Sequence, residues 1–203
     1  MIIITNFESM DKLIEYLLQF GALDSDQIQF ISNKGKVVTL VTNEYFSEAG
    51  KTPKYVGFIL KGIFRTCFYN NKGDDITHDF IDENNFVTDM QKFEAQAVAT
   101  EYIQAITDCE VIVFTKKDWD DIGKTIANWD AITGLILRKC IGEILERRNF
   151  LVTGDATARY ISFMKKFPTF INRIPLSYIA SYLGMAQPSL SRIRKNISEK
   201  NAF

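Results

Sequence analysis

Apolar positions recur at different spacings along the chain, and the spacing changes twice. Met10, Leu13, Ile14, Leu17 and Leu18 return every three or four positions between Ser9 and Phe20, and Gly21 follows. That pattern predicts a short amphipathic helix. A second short helix is expected over 25–32, with Ser25 as its cap and Ile28 and Ile31 facing inward. After Gly35 the texture turns β-rich. The runs 37–42, 55–61, 63–69, 75–81, 102–106 and 110–114 are rich in branched and aromatic residues. Turn signals at 48–51, 61–62, 70–74 and 107–109 separate them. Many short strands at such intervals predict an antiparallel sandwich or roll.

From Asp118 the helical period returns. Ile122, Ile126, Trp129, Ile132, Ile136, Cys140 and Ile144 form one stripe, which Leu135, Leu137, Ile141 and Leu145 broaden. The expected helix starts on an Asp118 cap and runs to about Val152, before Gly154. So wide an apolar face has two surfaces to cover, one against the sheet and one against a partner helix. A homodimer is the expectation, with a core helix inside a monomer as the alternative. Gly134 and Gly142 each cost such a helix about 1 kcal/mol relative to Ala and permit close helix–helix approach. The fold class is therefore α+β: a roll over 1–117, a long helix over 118–153 and a small helical head over 154–203.

Charge sharpens that division. Residues 156–203 hold eight Lys and Arg against Glu199 alone, net +7. The first 155 residues keep 16 Lys and Arg to 24 Asp and Glu, net −8, for a total of −1. An acidic body with a basic end suggests a module that meets a polyanion, or else merely a solvated basic face. No apolar run nears the roughly 20 residues that cross a bilayer, so no membrane partner is expected. The start of the chain does not read as a signal peptide. Cys67, Cys109 and Cys140 lie far apart, which suits the reduced thiols of a cytoplasm and argues against a metal site. With His78 as the one histidine, no Gly-rich phosphate loop and no nucleophile motif, no catalytic residue, cofactor or metal is expected.

The most informative stretch is 174–195. Pro175 opens a short helix, where its missing N–H costs nothing. Leu176, Ile179, Ala180 and Leu183 share one side, and Gly184 sits where a tight turn needs φ > 0. A second helix begins near Gln187-Pro188 and turns Leu190 and Ile193 inward. This is the spacing of a helix-turn-helix. With those two residues inward, Gln187, Pro188, Ser189, Ser191 and Arg192 lie on the exposed first half of the recognition helix. Gln187 suits a bidentate pair with adenine and Arg192 one with guanine, each worth about 1–3 kcal/mol of discrimination. Arg194, Lys195 and Ser177 of the first helix suit phosphates, which position without reading sequence. Local capping is the alternative for Gln187 and Ser189, and simple solvation for Lys195 and Lys200.

Taken in order, β-roll, long helix and terminal helix-turn-helix resemble the Crp/Fnr family of bacterial transcription regulators. The likeness is most specific in Tyr178-Ile-Ala-Ser-Tyr-Leu-Gly184 and Leu190-Ser-Arg-Ile-Arg194, and looser through 48–50, 55–62 and 84–106. It implies a homodimer that binds double-stranded DNA, with a cyclic-nucleotide-binding-type sensor domain and RNA polymerase as a further partner. The family's cyclic-nucleotide pattern is Phe-Gly-Glu-Leu, then Arg-Ser-Ala about ten residues after the Glu. Here Phe86-Val-Thr-Asp-Met90 places Thr88 on the glycine and Asp89 on the glutamate, and Ala99-Thr100-Glu101 falls on Arg-Ser-Ala. The arginine that holds the cyclic phosphate is thus Ala99, and its charge-assisted, bidentate contact is lost. Cys140, Ile144 and Leu145 fall where the cyclic-AMP sensor has polar ligand contacts. The expected effector pocket, around Phe86, Thr88, Asp89, Ala99, Thr100, Cys140 and Ile144, suits an apolar or uncharged small molecule, or none, and not cyclic AMP. A rival reading is a sensor or adaptor whose β-roll binds a small molecule or protein and whose helical tail reads no DNA sequence.

Overall fold

Strand β9 (Cys109–Thr115) carries apolar side chains on both faces, and this decides the architecture. The computed structural model describes residues 3–4, 7–149, 151 and 154–200. In it β9 lies inside a five-stranded antiparallel sheet of order β1 (Ile3–Ile4), β2 (Lys36–Leu40), β9, β4 (Tyr55–Lys61), β7 (Phe86–Val87). A second antiparallel sheet has the order β3 (Tyr45–Ser47), β8 (Tyr102–Ala105), β5 (Phe64–Tyr69), β6 (Asp75–Ile81). Val111 and Val113 of β9 point between the sheets, where they pack with Val38, Ile59, Phe64 and Ile103. Their neighbours Ile112 and Phe114 point the other way, as strand alternation requires. The register Phe58↔Ile112, Ile59↔Val111 gives β4 the same two-faced burial. A strand covered on both sides reads in sequence as a continuous apolar run, as Val111–Phe114 does.

The helices α1 (Phe7–Leu18), α2 (Ser25–Lys34), α4 (Lys116–Thr125) and α5 (Trp129–Asn149) cover the first sheet. Leu13, Leu17, Ile31, Trp119, Ile122 and Ile132 press onto Val56, Phe58, Ile112 and Phe114. The short α3 (Met90–Ala95) follows β7 with Phe93 buried. At the far end α6 (Ala156–Lys166), α7 (Leu176–Tyr182) and α8 (Gln187–Lys200) enclose a third core. That core also takes in Ile63, Phe80 and Ile106 of the roll. No helix among the described residues is long and apolar enough to cross a membrane.

The structure departs from the sequence reading at several points. The single helix expected from Asp118 is two, α4 and α5, with a turn at 126–128. Ile126 leaves helical geometry at φ −100°, ψ 105°, with its side chain fully buried. Asn128 Nδ2 donates to Ala22 O at 2.9 Å and ties the turn to the loop after α1. Tertiary anchoring thus overrides a period that runs smoothly through the break. Thr115, not Asp118, caps α4, and Asp24, not Ser25, caps α2 in a reciprocal capping box with Gln27. Leu18 is exposed rather than inward. The α6 helix had no counterpart in the sequence reading, and the expected helix end at Val152 lies outside the described residues.

Gly62 makes the sharp connection between β4 and β5 at φ +103°. A Cβ there would meet Cys109 Sγ at 2.5 Å and Asp108 O at 2.7 Å. Gly62→Ala is therefore expected to destabilise the fold by at least about 2 kcal/mol, from the positive φ and the clash together. A urea midpoint unchanged from that of the parent protein would contradict this account.

Candidate nucleic-acid interface and effector cavity

The head is assembled from local signals. Asp155 caps α6, its side chain accepting from Ala158 N at 2.8 Å. The α7 helix closes with Met185 N donating to Ala180 O and Gly184 N to Ser181 O, both at 3.0 Å. This Schellman closure needs a left-handed residue, which Gly184 supplies at φ +64°. The turn throws α8 across α7 so that Leu190 is fully buried and Ile193 and Ile197 pack partly into the same core.

The opposite face of α8 is open. Gln187, Pro188, Ser189, Ser191, Arg192, Arg194 and Lys195 are all exposed, as is Ser177 on α7. Among the described residues neither Gln187 nor Ser189 makes a side-chain capping bond. Among the described residues Arg192 and Arg194 have no acidic partner, and Lys195 has only a long 3.9 Å approach to Glu199. Two guanidiniums and a carboxamide on one solvated ridge form a surface that suits phosphate oxygens and base edges.

The head is fastened to the roll through β6, the outer strand of its sheet. Ser181 Oγ accepts from Thr77 N at 2.9 Å and donates to Asp75 O at 3.0 Å. Beside it lies Arg65, a charged side chain only 2% exposed. Its guanidinium makes a two-pronged pair with Asp75 at 2.8 and 2.6 Å and also reaches Thr77 Oγ1 and Gln104 Oε1. The ring of Tyr178 on α7 lies over the guanidinium at 3.8 Å. A further pair joins Arg173 of the head to Glu83. Burial raises the Glu83 carboxyl, but bonds from Arg173 and Gly62 N–H outweigh it and hold it below its usual range. Sequence reasoning missed Arg65, Tyr178 and Ser181 in this role. The available signal was a lone arginine within the β-rich run 63–69, whose partners lie far away in sequence.

A cavity of about 570 Å³ opens between β6, the start of α3, α5 and Tyr182 of α7. Five of the expected pocket residues, Phe86, Thr88, Asp89, Cys140 and Ile144, line it. Ala99 is buried elsewhere, its main chain paired with Gly50 and Lys51, and Thr100 is exposed; neither reaches the cavity. His78 on β6 bonds Glu101 at 2.9 Å and meets Arg148 on its other nitrogen. Glu101 draws its pKa up, against burial and Arg148. Arg147 donates to Phe80 O at 2.7 Å and pairs with Asp79, whose carboxyl burial has raised. Burial pushes the Cys67 and Cys109 thiols up to about 11, which leaves them poor nucleophiles. No group of side chains among the described residues is arranged to hold a metal ion.

Residues 37–125 match the family model of the cyclic nucleotide-binding domain. In structure the chain is similar to the c-di-GMP responsive global regulator CLP of Xanthomonas campestris, with TM-score 0.69 and 14% identity over 88% of this chain and 93% of that one. It is likewise similar to FixK2 of Bradyrhizobium japonicum, with TM-score 0.68 and 14% identity over 82% and 86% of the two chains. A putative crp/fnr-family transcriptional regulator of Eubacterium rectale gives TM-score 0.69 and 14% identity over 88% and 85%. The chain has the Crp/Fnr fold. No curated protein matches it in sequence. Roll, long helix and terminal helix-turn-helix thus follow one another as the resemblance implied. Within the Crp/Fnr fold the head of this chain sits directly on β6.

The Ser181 contact carries a direct expectation. Ser181→Ala strips partners from a main-chain N–H and a main-chain carbonyl of β6, at a cost of about 1–3 kcal/mol. Urea unfolding followed by tyrosine and tryptophan signals should move to a lower midpoint with little change in slope. An unmoved midpoint would mean that the strand edge does not depend on α7.

Proposed function

We propose that this chain is a dimeric, sequence-specific DNA-binding transcription regulator of the Crp/Fnr type whose effector is not a cyclic nucleotide. The observation that carries the reading is α8, buried along Leu190 and solvated along Gln187, Arg192 and Arg194, inside a segment of net +7. Such a helix reads base edges from its first turns while the basic side chains grip phosphates.

The dimer rests on α5. Its inner face, Trp129, Ile132 and Ile136, is buried in the fold. Leu137, Ile141, Ile144 and Leu145 are exposed at helical seam spacing, which suits a second copy of the same helix. Two heads placed by paired helices reach half-sites about 34–36 Å apart only in a suitable arrangement. Regulation is then a population shift between arrangements, biased by what fills the cavity. The missing phosphate arginine supports an effector other than a cyclic nucleotide. Ala99 stands in its place.

Selection from random duplexes is expected to return an inverted repeat. On that site Arg192→Ala should lose about 1–3 kcal/mol, roughly 5- to 150-fold in affinity, and accept other bases at the position it reads. Lys195→Ala should instead weaken all sequences alike and lower the salt slope by about one. Binding that is salt-sensitive but returns no repeat would sink the sequence-specific reading, and unchanged binding by Arg192→Ala and Gln187→Ala would favour an adaptor. Separately, Ile141→Glu with Leu145→Glu should convert a dimer to a monomer by native mass spectrometry. A parent protein that is already monomeric would remove the dimer from the proposal.

A further inference from the structure

The cavity between roll, α5 and head is unusual in its charge. Six carboxylates line it (Asp79, Asp89, Glu94, Glu101, Asp130 and Glu143), against two guanidiniums, Arg147 and Arg148. Both guanidiniums are engaged where α5 meets β6. Arg147 holds Asp79 and Glu143, and Arg148 meets the His78–Glu101 pair. No cation lies within ion-pair distance of Asp89, Glu94 or Asp130 among the described residues. Among the described residues Asp89 accepts only the main-chain N–H of Lys92 that it caps.

These three carboxylates, Asp89 half-buried and Glu94 and Asp130 exposed, line the same cavity as three aromatic rings. Phe86 meets Trp119 edge-on with ring centres 6.0 Å apart, and Trp119 meets Trp129 in the same way at 5.3 Å. Asp130 follows Trp129 in the first turn of α5, and Asp89 follows Phe86 by three residues. Aromatic rings beside unpaired carboxylates, in a space of ligand size, favour a positive charge on an apolar body. An anion there would meet a wall that is negative on balance.

We propose that this cavity binds a small organic cation, its ammonium end among Asp89, Glu94 and Asp130 and its apolar body against Phe86 and the two tryptophans. The volume of about 570 Å³ accommodates a molecule of metabolite size. Leu137 and Ile144 of the exposed α5 seam also line it, so a second copy packed along that seam, as in the dimer proposed above, would cover its open side. Tyr182 of α7 completes the wall, and an occupant therefore rests directly against the head. That regulatory consequence rests on the effector reading above; the binding itself does not.

Both tryptophans of the chain line this cavity, so intrinsic fluorescence reports on it selectively. Phenethylammonium and 3-phenylpropionate share a phenyl body and a two-carbon arm and differ in the charge of the end group. Titrated into the full chain, the ammonium should shift tryptophan emission saturably, and the carboxylate should not. Asp89→Asn with Asp130→Asn should weaken the ammonium about tenfold or more, since each contact to a charged group is lost. Asn at position 89 preserves the helix cap, and unliganded emission equal to that of the parent certifies the fold. Equal or tighter binding of the carboxylate, no saturable shift with the ammonium up to millimolar levels, or full ammonium affinity in the double variant would each overturn the proposal. A cation that binds while no operator is found leaves this site standing and removes the DNA reading; an operator without cation binding does the reverse.

Discussion

The free edge of β6 is the constraint on which everything beyond the roll depends. A sheet edge presents main-chain donors and acceptors that must find partners or invite a foreign strand. Here Asp75 O and Thr77 N are taken up by Ser181 of α7, and Phe80 O is taken up by Arg147 of α5. One edge therefore recruits both the helix-turn-helix head and the end of the long helix. Phe80, buried on the same strand, then packs against Phe163, Phe170 and Tyr182 and joins the head's core to the roll.

Arg65 adds direction to that attachment. Burying a guanidinium carries a desolvation cost, so its pair with Asp75 is better read as fixing geometry than as adding stability. Its planar fork meets Asp75 and Gln104 in its own plane and leaves its face for Tyr178, which matches one placement of α7. On the same strand His78 and Asp79 form part of the cavity wall. The residues that hold the head and those that would feel an occupant are thus neighbours on seven residues of backbone, Asp75–Ile81. No long chain of intermediates is needed between them.

The helix-turn-helix was legible because its rules are local: a glycine at positive φ, inward Leu190, and a short helix opened by Pro175 all act within a few residues. The alternation of β-rich runs was legible for the same reason. Much of what escaped depended on distant partners. The break after Thr125 is set by where Ile126 is buried and by Asn128 reaching Ala22, and neither is visible in a period count. Asp24 outcompetes Ser25 as a cap because Gln27 returns the bond, a pairing three residues long that the apolar period does not register. The alignment with the cyclic-nucleotide pattern pointed to Phe86, Thr88 and Asp89, and the count along the long helix to Cys140 and Ile144; all five line the cavity. Ala99 and Thr100 lie away from it because their segment pairs with 50–51 instead.

That displacement bears on what the roll can recognise. A cyclic phosphate is held by a buried positive group, and the attraction is strong only where water is excluded. At the family's position this chain offers Ala99, a methyl group without charge. In the cavity it offers Arg147 and Arg148, already facing carboxylates and His78, within a wall that carries six acids. To seat a phosphate there, Arg147 would have to leave Asp79 and Glu143 uncompensated, and Asp79 is buried enough that its carboxyl is already pushed toward the neutral form. On the proposed reading, the frame of a cyclic nucleotide-binding domain is combined with a cavity wall whose acids disfavour an anionic ligand, so the ligand class is set by side-chain electrostatics rather than by the shared architecture.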